Sequence, residues 1–183
     1  MSTKIKPEIK EEIIIPENVN IELDSGMVKV SGPVGSNERE FKHPTIDIKK
    51  QDDKLILIAK NQNKNNKRLL KSFRAHISNL ITGVTKIYTY KLKICSGHFP
   101  MNVAVSGSNI IIKNFFAEKI PRHAKILKDV NVKIDSDIIT VTGTNKELVG
   151  QTAANIEQAC RITNRDRRVF MDGIYIISKN DEQ

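Results

Sequence analysis

The apolar positions of this chain repeat a single pattern twice. Val19, Ile21 and Leu23 alternate with polar residues, a turn follows at Asp24-Ser-Gly26, and the alternation resumes up to Val30. Alternation with a period of two predicts a β-hairpin with one buried face. Three segments recur later in the chain: residues 19–30 at 101–112, residues 46–57 at 130–141, and residues 66–70 at 145–149. A repeat of this length indicates two tandem copies of one structural unit.

A second periodicity in each copy predicts one helix. In the first copy the helix is predicted over residues 67–80, because its apolar positions share one face of a 3.6-residue helix. These positions are Leu69, Leu70, Phe73, Ile77 and Leu80, and their counterparts are Leu148, Val149, Thr152, Ile156 and Ala159. Thr144-Asn-Lys-Glu147 has the form of a capping box and predicts the start of the second helix.

The two patterns together predict an α+β fold of two tandem copies, each an antiparallel sheet covered on one face by one helix. Residues 1–12 are charged and aperiodic and predict a flexible N-terminal arm. The first repeat is predicted over residues 13–85 and the second over residues 86–183. The second repeat includes a basic C-terminal extension that has no counterpart in the first.

Composition adds an expectation about the partner. The chain has 183 residues, a formal net charge of +9 and a pI near 9.5, which favours an anionic partner, although a basic protein without such a partner is the alternative. Cys95 and Cys160 form no CxxC pair, and we expect reduced thiols in an intracellular protein. Its apolar runs are too short to span a bilayer, so no membrane partner is expected.

Arginine is concentrated in the extension. Arg161, Arg165, Arg167 and Arg168 are four of the eight arginines, and a planar guanidinium suits bidentate contact with phosphate. The alternative is that they cap the C-terminus of the preceding helix. The extension predicts a loop between helix and strand, with a tight turn at Asp172-Gly173 and Phe170 anchored in the core.

Two other segments are candidates for nucleic-acid contact. Gly97 permits close approach of the backbone, and His98 and Phe99 are able to stack on a base or sugar; the alternative is a core Phe99 and a surface His98. A second basic stretch contains Lys113, Asn114 and Arg122, for which a solvated face is the alternative.

Signatures of catalysis are absent from the sequence. It contains no GxxxxGK[ST] loop, HExxH motif or GxSxG elbow, and its four histidines stand singly with no cysteine at ligand spacing. We therefore expect no enzyme, no metal, no cofactor and no small-molecule substrate. Extended base stacking is poorly supported, because aromatic residues make up 5% of the chain.

The C-terminal segment resembles the motif of a universal large-subunit ribosomal protein family, called L-six in bacteria and L-nine in eukaryotes. The matching positions are Gln158, Ile162, Arg165, Arg168, Phe170, Asp172, Gly173, Ile174, Tyr175, Ile176 and Lys179. Ile15-Pro-Glu-Asn-Val19, Gly32-Pro-x-Gly35, His98-Phe-Pro100 and Asn114-Phe115 are also similar to that family and occur in the same order.

The resemblance implies a non-catalytic protein of the cytosolic large ribosomal subunit, near the sarcin-ricin loop and the stalk base. Implied partners are large-subunit rRNA, neighbouring ribosomal proteins and, nearby, translational GTPases. The candidate rRNA-binding residues are Arg161, Asn164, Arg165, Arg167, Arg168, Lys179, Gly97, His98, Phe99, Lys113, Asn114 and Arg122. Phe170, Asp172 and Gly173 are the expected structural residues. The alternative from the residues is a scaffold whose second repeat binds an acidic protein.

Overall fold

A computed structural model describes residues 8–166 and 168–179 of the chain. The structure divides into two compact units between Ile87 and Tyr88. The sequence pattern predicted this boundary two residues earlier, between 85 and 86. The difference arises because Lys86 still caps the first helix, its N–H donating to the carbonyl oxygen of Thr82.

The first unit contains two three-stranded antiparallel sheets and one helix. One sheet has the order β1-β6-β5 and the other β2-β3-β4. The elements in chain order are β1 (Ile9–Ile14), β2 (Asn20–Asp24), β3 (Met27–Ser31), β4 (Ser36–Glu40), β5 (Ile46–Gln51), β6 (Lys54–Ala59) and α1 (Lys64–Thr85).

The second unit repeats this plan and adds one strand. Its sheets have the orders β10-β9-β8 and β11-β12-β7-β13, again antiparallel. The elements are β7 (Tyr88–Cys95), β8 (Asn102–Ser106), β9 (Asn109–Lys113), a 3₁₀ turn (Phe115–Ala117), β10 (Arg122–Lys125), β11 (Val130–Asp135), β12 (Ile138–Gly143), α2 (Lys146–Ala159) and β13 (Gly173–Lys179).

The two units correspond element by element. Strands β2-β3-β4 match β8-β9-β10, β1-β6-β5 match β7-β12-β11, and α1 matches α2. The predicted α+β class with two tandem copies is therefore confirmed. Strand β13 has no counterpart in the described part of the first unit, and it pairs with β7 on the side opposite β12.

Each unit has its own hydrophobic core between sheet and helix. In the first, Leu55 and Leu57 of β6 are fully buried with Leu70 and Ile77 of α1. In the second, the fully buried residues include Leu92 of β7, Ile139 of β12 and Ile156 of α2. Burying one such side chain stabilises a fold by about 1.5–3 kcal/mol, so these positions determine how sheet and helix pack.

The predicted arm over residues 1–12 is too long. Strand β1 begins at Ile9 and pairs with β6 along its whole length, while residues 1–7 lie outside the described part. Glu11 pairs with Arg74 of α1 at 2.8 Å, and Glu12 pairs with Lys54 of β6 at 3.0 Å. Lys10 and Glu12 are outer side chains of this edge strand, whereas Glu11 lies on the face covered by α1, with its side chain only 22% exposed.

Helix α1 is longer than predicted at both ends. It starts at Lys64, three residues before the predicted start, because the Asn63 side chain accepts the N–H of Asn66 at 2.7 Å. Asn66 is itself buried and donates to the carbonyl oxygen of Asn61 at 3.1 Å. At the other end, the helix continues to Thr85, five residues beyond the predicted end.

Two further local features differ from the prediction. The N-cap of α2 is Asn145 and not Thr144, since the Asn145 side chain accepts the N–H groups of Glu147 and Leu148. Strand β4 was not predicted, because its sequence Ser-Asn-Glu-Arg-Glu is entirely polar. It forms through backbone pairing with β3 along its length.

The loop Gly32-Pro-Val-Gly35 packs against the C-terminal turn of α1. The Val34 N–H donates to the carbonyl oxygen of Val84 at 3.0 Å, which satisfies one of the helix-end carbonyls that have no partner within the helix. A Cβ atom on Gly32 would lie 2.8 Å from that same oxygen. The loop therefore requires glycine at this position.

We predict that Gly32→Ala destabilises the protein by about 1–3 kcal/mol, since a backbone oxygen cannot move away as a flexible side chain does. Urea unfolding of the variant measures the effect. Ser36→Ala, at an exposed position on the same segment, is the control and should change stability by less than about 0.5 kcal/mol. A Gly32→Ala variant as stable as that control contradicts the packing described for the loop.

Candidate nucleic-acid interface

The candidate site lies in the second unit, where the segment joining α2 to β13 meets the segment after β7. We call residues 160–172 the C-terminal loop. Strand β13 pairs with β7 so that Gly173 lies opposite Cys95. This register places Asp172 beside the residues that follow β7, and Asp172 is only 2% exposed.

The Asp172 carboxylate accepts hydrogen bonds from three successive backbone amides. The N–H of Gly97 donates to Oδ1 at 2.7 Å, that of His98 to Oδ2 at 3.1 Å, and that of Phe99 to Oδ2 at 3.4 Å. The His98 Nδ1 atom lies 3.1 Å from Oδ1 and is the donor, because an ionised carboxylate only accepts. We call this arrangement the Asp172 clamp.

The electrostatics of the clamp favour the ionised carboxyl group. Burial by itself raises the pKa of Asp172, but the hydrogen bonds from the His98 side chain and from the amides of Gly97, His98 and Phe99 outweigh it. The pKa of Asp172 therefore lies below its ordinary value. A buried charge is retained here because it is hydrogen-bonded on both oxygens.

The rings of His98, Phe116 and Phe170 form an aromatic cluster next to the clamp. The Phe170 centroid lies 5.1 Å from that of His98 and 5.8 Å from that of Phe116. The Arg165 guanidinium carbon lies 4.8 Å from the Phe116 centroid and 5.1 Å from the Phe170 centroid. A cation over two ring faces is attracted by their quadrupoles, so the cluster orients Arg165.

Phe170 differs from its predicted role as a core anchor. It is partly exposed and does not belong to the buried core of the second unit. Its ring instead packs between His98, Phe116 and Arg165. The residue is structural in that it supports the surface cluster.

The tight turn of the C-terminal loop lies earlier than predicted. The carbonyl oxygen of Asp166 accepts the N–H groups of Val169 and Phe170 at 3.1 and 2.9 Å, and residues 168 and 169 lie in the turn that these bonds close. Gly173 is already the first residue of β13. Asp172 therefore acts through its side chain and not as a turn residue.

Arg168 lies on this turn and pairs with Asp166. Its Nε and Nη2 atoms donate to the two carboxylate oxygens at 3.2 and 3.0 Å, and the hydrogen bond from its side chain lowers the pKa of Asp166. The Arg168 side chain is 89% exposed. An ion pair this exposed is weak and screened by salt, so Arg168 remains accessible to another anion.

Arg122 has an internal role. Its guanidinium pairs with Glu118 at 2.6 Å and donates to the carbonyl oxygens of Ala159 and Arg161 at 2.9 and 3.1 Å. The hydrogen bond to Glu118 raises the pKa of Arg122 and lowers that of Glu118. Arg122 is therefore the cation at the C-terminus of α2. The alternative interpretation of the sequence assigned this capping role to the arginines of the C-terminal loop. These contacts favour a structural role, and its contact with rRNA stays a prediction.

The remaining predicted residues are spread around this centre. Asn114 donates from its side chain to the carbonyl oxygen of Pro100 at 2.9 Å, which ties the turn after β9 to the clamp loop. Asn164 has a left-handed backbone with φ of 59° in the C-terminal loop, which asparagine tolerates. Arg161, Lys113 and Phe99 are exposed. Arg167 lies outside the described residues.

Lys179 does not belong to this cluster. It is exposed at the far end of β13, about 20 Å along the strand from Gly173 at about 3.3 Å per residue. The prediction that it contacts rRNA would require a second point of contact.

Sequence reasoning missed Phe116 as part of the site. Phe116 and Ala117 both have positive φ, of 49° and 58°, and this backbone brings the Phe116 ring to Arg165 and Phe170. The signal was present in the run Lys113-Asn-Phe-Phe116, because adjacent side chains of an extended segment point to opposite sides and only one of the two rings then faces a one-sided core. Phe115 is buried, and Phe116 is only partly so.

The exposed cations of this arrangement are suited to contact with an anion. Within residues 8–166 and 168–179 no three histidine, cysteine, aspartate or glutamate side chains are placed to hold a metal ion. Burial raises the pKa of the Cys160 thiol to about 11, so this thiol is not a nucleophile at neutral pH. No helix in the described part of the chain is long and apolar enough to cross a membrane.

Comparison with known proteins gives one consistent match. The family model described as ribosomal protein L6 matches residues 15–87 and 99–173, one segment in each unit. The chain is 46% identical over 171 residues to large ribosomal subunit protein uL6 of Methanobrevibacter smithii, covering 93% of this chain and 96% of the relative. It is 45% identical over 171 residues to uL6 of Methanococcus vannielii, covering 93% and 94%.

We predict that Asp172→Asn destabilises the protein by about 2–4 kcal/mol at pH 7, because charge-assisted hydrogen bonds are lost and the new amide group faces backbone donors. A carboxyl group with a lowered pKa stabilises the fold above its ordinary pKa of about 3.9, and this contribution is lost as pH falls through the folded-state pKa. The difference between wild type and variant should therefore shrink below about pH 4.

Urea unfolding between pH 3 and pH 7 measures this difference. Asp135→Asn, an exposed carboxylate on β11, is the matched control and should stay within about 0.5 kcal/mol of wild type. A difference between Asp172→Asn and wild type that is absent at pH 7 or that grows in acid contradicts the clamp.

Proposed function

Because this chain belongs to the ribosomal protein L6 family and is a structural, non-enzymatic protein of the large ribosomal subunit, we propose that its second unit binds large-subunit rRNA through the C-terminal loop. Arg161, Arg165 and Arg168 are the proposed phosphate contacts. Lys113, Asn114, Asn164 and the segment Gly97–Phe99 complete the proposed interface. Lys179, at the far end of β13, is proposed as a separate point of contact.

One observation carries the proposal. The described arginines of the C-terminal loop are exposed, and within the described residues the ion pair shown for them is the exposed one between Arg168 and Asp166, while Arg165 also attracts the Glu118 carboxylate electrostatically. Arg165 rests on ring faces, which leaves the N–H donors at the edge of its guanidinium available. Guanidinium groups in this state are suited to bidentate contact with phosphate.

The clamp and the aromatic cluster hold these cations in place before RNA binds. A loop fixed by a buried carboxylate and by stacked rings loses little conformational freedom on binding, so less of the interaction energy is spent on ordering. Counterions released from the RNA phosphates then supply the affinity. Recognition should follow the phosphate path of folded rRNA more than its base sequence.

We propose that this contact lies near the sarcin-ricin loop and the base of the stalk. The motif similarity of the C-terminal segment supports this position, and the concentration of arginine there supports contact with RNA. In this position the protein would lie beside neighbouring ribosomal proteins and near the site where translational GTPases bind. Its role would be to support subunit assembly and translation in the cytoplasm.

We predict that replacing Arg165 and Arg168 together by alanine weakens binding to large-subunit rRNA. The slope of log K against log salt should fall in magnitude by up to about two, since roughly one counterion is released per phosphate contact. Binding of the purified protein to rRNA over a series of KCl concentrations measures the slope.

The matched control is the pair Lys128→Ala and Lys133→Ala, which removes the same charge from exposed positions outside the cluster. This control should change the slope by less than half as much. A second variant, Arg165→Lys with Arg168→Lys, should keep most of the slope but lower the affinity, because lysine cannot bind phosphate in a bidentate manner. An unchanged slope in the alanine variant rules these residues out as the contact.

A further inference from the structure

We infer that the first unit carries a second binding surface for the RNA backbone, on the exposed side of α1. Lys64, Lys67, Arg68 and Lys71 form this surface, which we call the α1 basic stripe. The inference rests on the proposed function in that its partner is the same large-subunit rRNA. The stripe lies in the first unit and the C-terminal loop in the second, so either proposed contact can fail while the other stands.

The four side chains share one face of the helix. At 100° per residue, positions 64, 67, 68 and 71 fall within an arc of about 100°, and the stripe extends about 10 Å along the helix axis. All four residues are exposed, and none of their side chains has a hydrogen bond or an ion pair within the described residues. The next base along the helix, Arg74, is different because it pairs with Glu11 at 2.8 Å.

The position of the stripe is unfavourable for the free protein. The N-terminus of a helix carries partial positive charge and favours acidic residues, yet the first turn of α1 has none. Lys64 and Arg68 are four residues apart, as are Lys67 and Lys71, and like charges at this spacing repel each other. The arrangement lowers the intrinsic stability of α1, and a bound polyanion would relieve this effect.

The duplicated helix shows that the fold does not require such a stripe. Helix α1 carries five basic residues and no acidic residue, whereas α2 carries one lysine and two glutamates. The first turn of α2 contains Glu147, in agreement with the helix dipole. Since both helices cover equivalent sheets, the charge on α1 is a property of its outer surface and not of its packing.

The chemistry of the stripe fits a phosphate backbone better than an acidic protein. Protein interfaces depend on buried aromatic or large apolar anchors. The exposed residues among and beside these cations on α1 are Asn65, Ser72 and Ala75, none of which is such an anchor. No ring is available on this face for base stacking either. A helix face that presents only cations is suited to a regular path of phosphates, independent of sequence.

The test compares two triple variants of the full chain that remove the same charge. One is Lys64→Gln, Lys67→Gln and Lys71→Gln, in which glutamine preserves helix propensity. The control is Lys10→Gln, Lys42→Gln and Lys49→Gln, which are exposed positions of the first unit outside α1. Binding to purified large-subunit rRNA is measured over a salt series, thermal unfolding is measured without RNA, and binding to polyglutamate is the probe for an acidic protein partner.

The stripe variant should lower the magnitude of the salt slope by about two to three, and the control by less than about one. Its unfolding temperature should equal or exceed that of wild type, because repulsion is removed. Equal slopes for the two variants overturn the inference, as does a lower unfolding temperature for the stripe variant than for the control. Loss of polyglutamate binding with an unchanged rRNA slope overturns it in favour of an acidic protein.

The two proposals are separated by measuring the stripe variant beside the Arg165 and Arg168 double variant. If only the double variant lowers the slope, the function proposed for the second unit stands and the second surface is wrong. If only the stripe variant lowers it, the second surface stands and the C-terminal loop is not the contact. Distant sites act additively, so the combined variant should lose the sum of both effects.

Discussion

The buried Asp172 carboxylate is the interaction on which the candidate interface depends. It holds three consecutive amides and a histidine ring, and it connects the strand after the C-terminal loop to the segment after β7. A concave set of successive N–H groups is an anion site, and here the protein supplies the anion itself. With the amides satisfied internally, the loop is left with a fixed shape, and His98 is positioned to pack on Phe170. The cations that face outward are then presented from a rigid support.

The duplication explains why only one unit contains this device. Both units use the same arrangement of strands and one covering helix. The second alone adds β13 beside β7, and Asp172 is the residue immediately before that strand. The first unit has no equivalent strand on β1 within the described residues and so has no place for such a carboxylate. Its distinguishing feature is instead the charge on α1, so the two copies have diverged on different surfaces of a shared frame.

Much of the fold was predictable because it follows from periodicity. The alternation in residues 19–30 and 101–112 and the helical spacing from Leu69 to Leu80 record which side chains are buried, and burial is what the packing requires. The errors lie where polar residues form structure through specific hydrogen bonds. Asn63 and Asn66 order the start of α1, Asn145 caps α2, and β4 forms without an apolar residue. Such contacts are made by polar side chains and backbone groups, which leave no periodic apolar signal in the sequence.

The candidate site was predictable in part for the same reason. The concentration of arginine at 161–168 was visible in the sequence, and the family motif indicated Asp172 as structural. The way Asp172 acts was not visible, since its partners lie more than seventy residues away. The sequence also did not reveal the internal role of Arg122. This residue pairs with Glu118 and donates to carbonyl oxygens at the end of α2. Residue type predicted the chemistry, and only the fold determined which cations remain accessible.

The most direct measurement is a cryo-EM map of the native large subunit that contains this chain. The central claim predicts that the guanidinium groups of Arg165 and Arg168 lie within about 3 Å of rRNA phosphate oxygens, and that the Asp172 clamp is the same as in the free protein. A map in which the C-terminal loop faces solvent or another protein, with the arginines away from RNA, contradicts it.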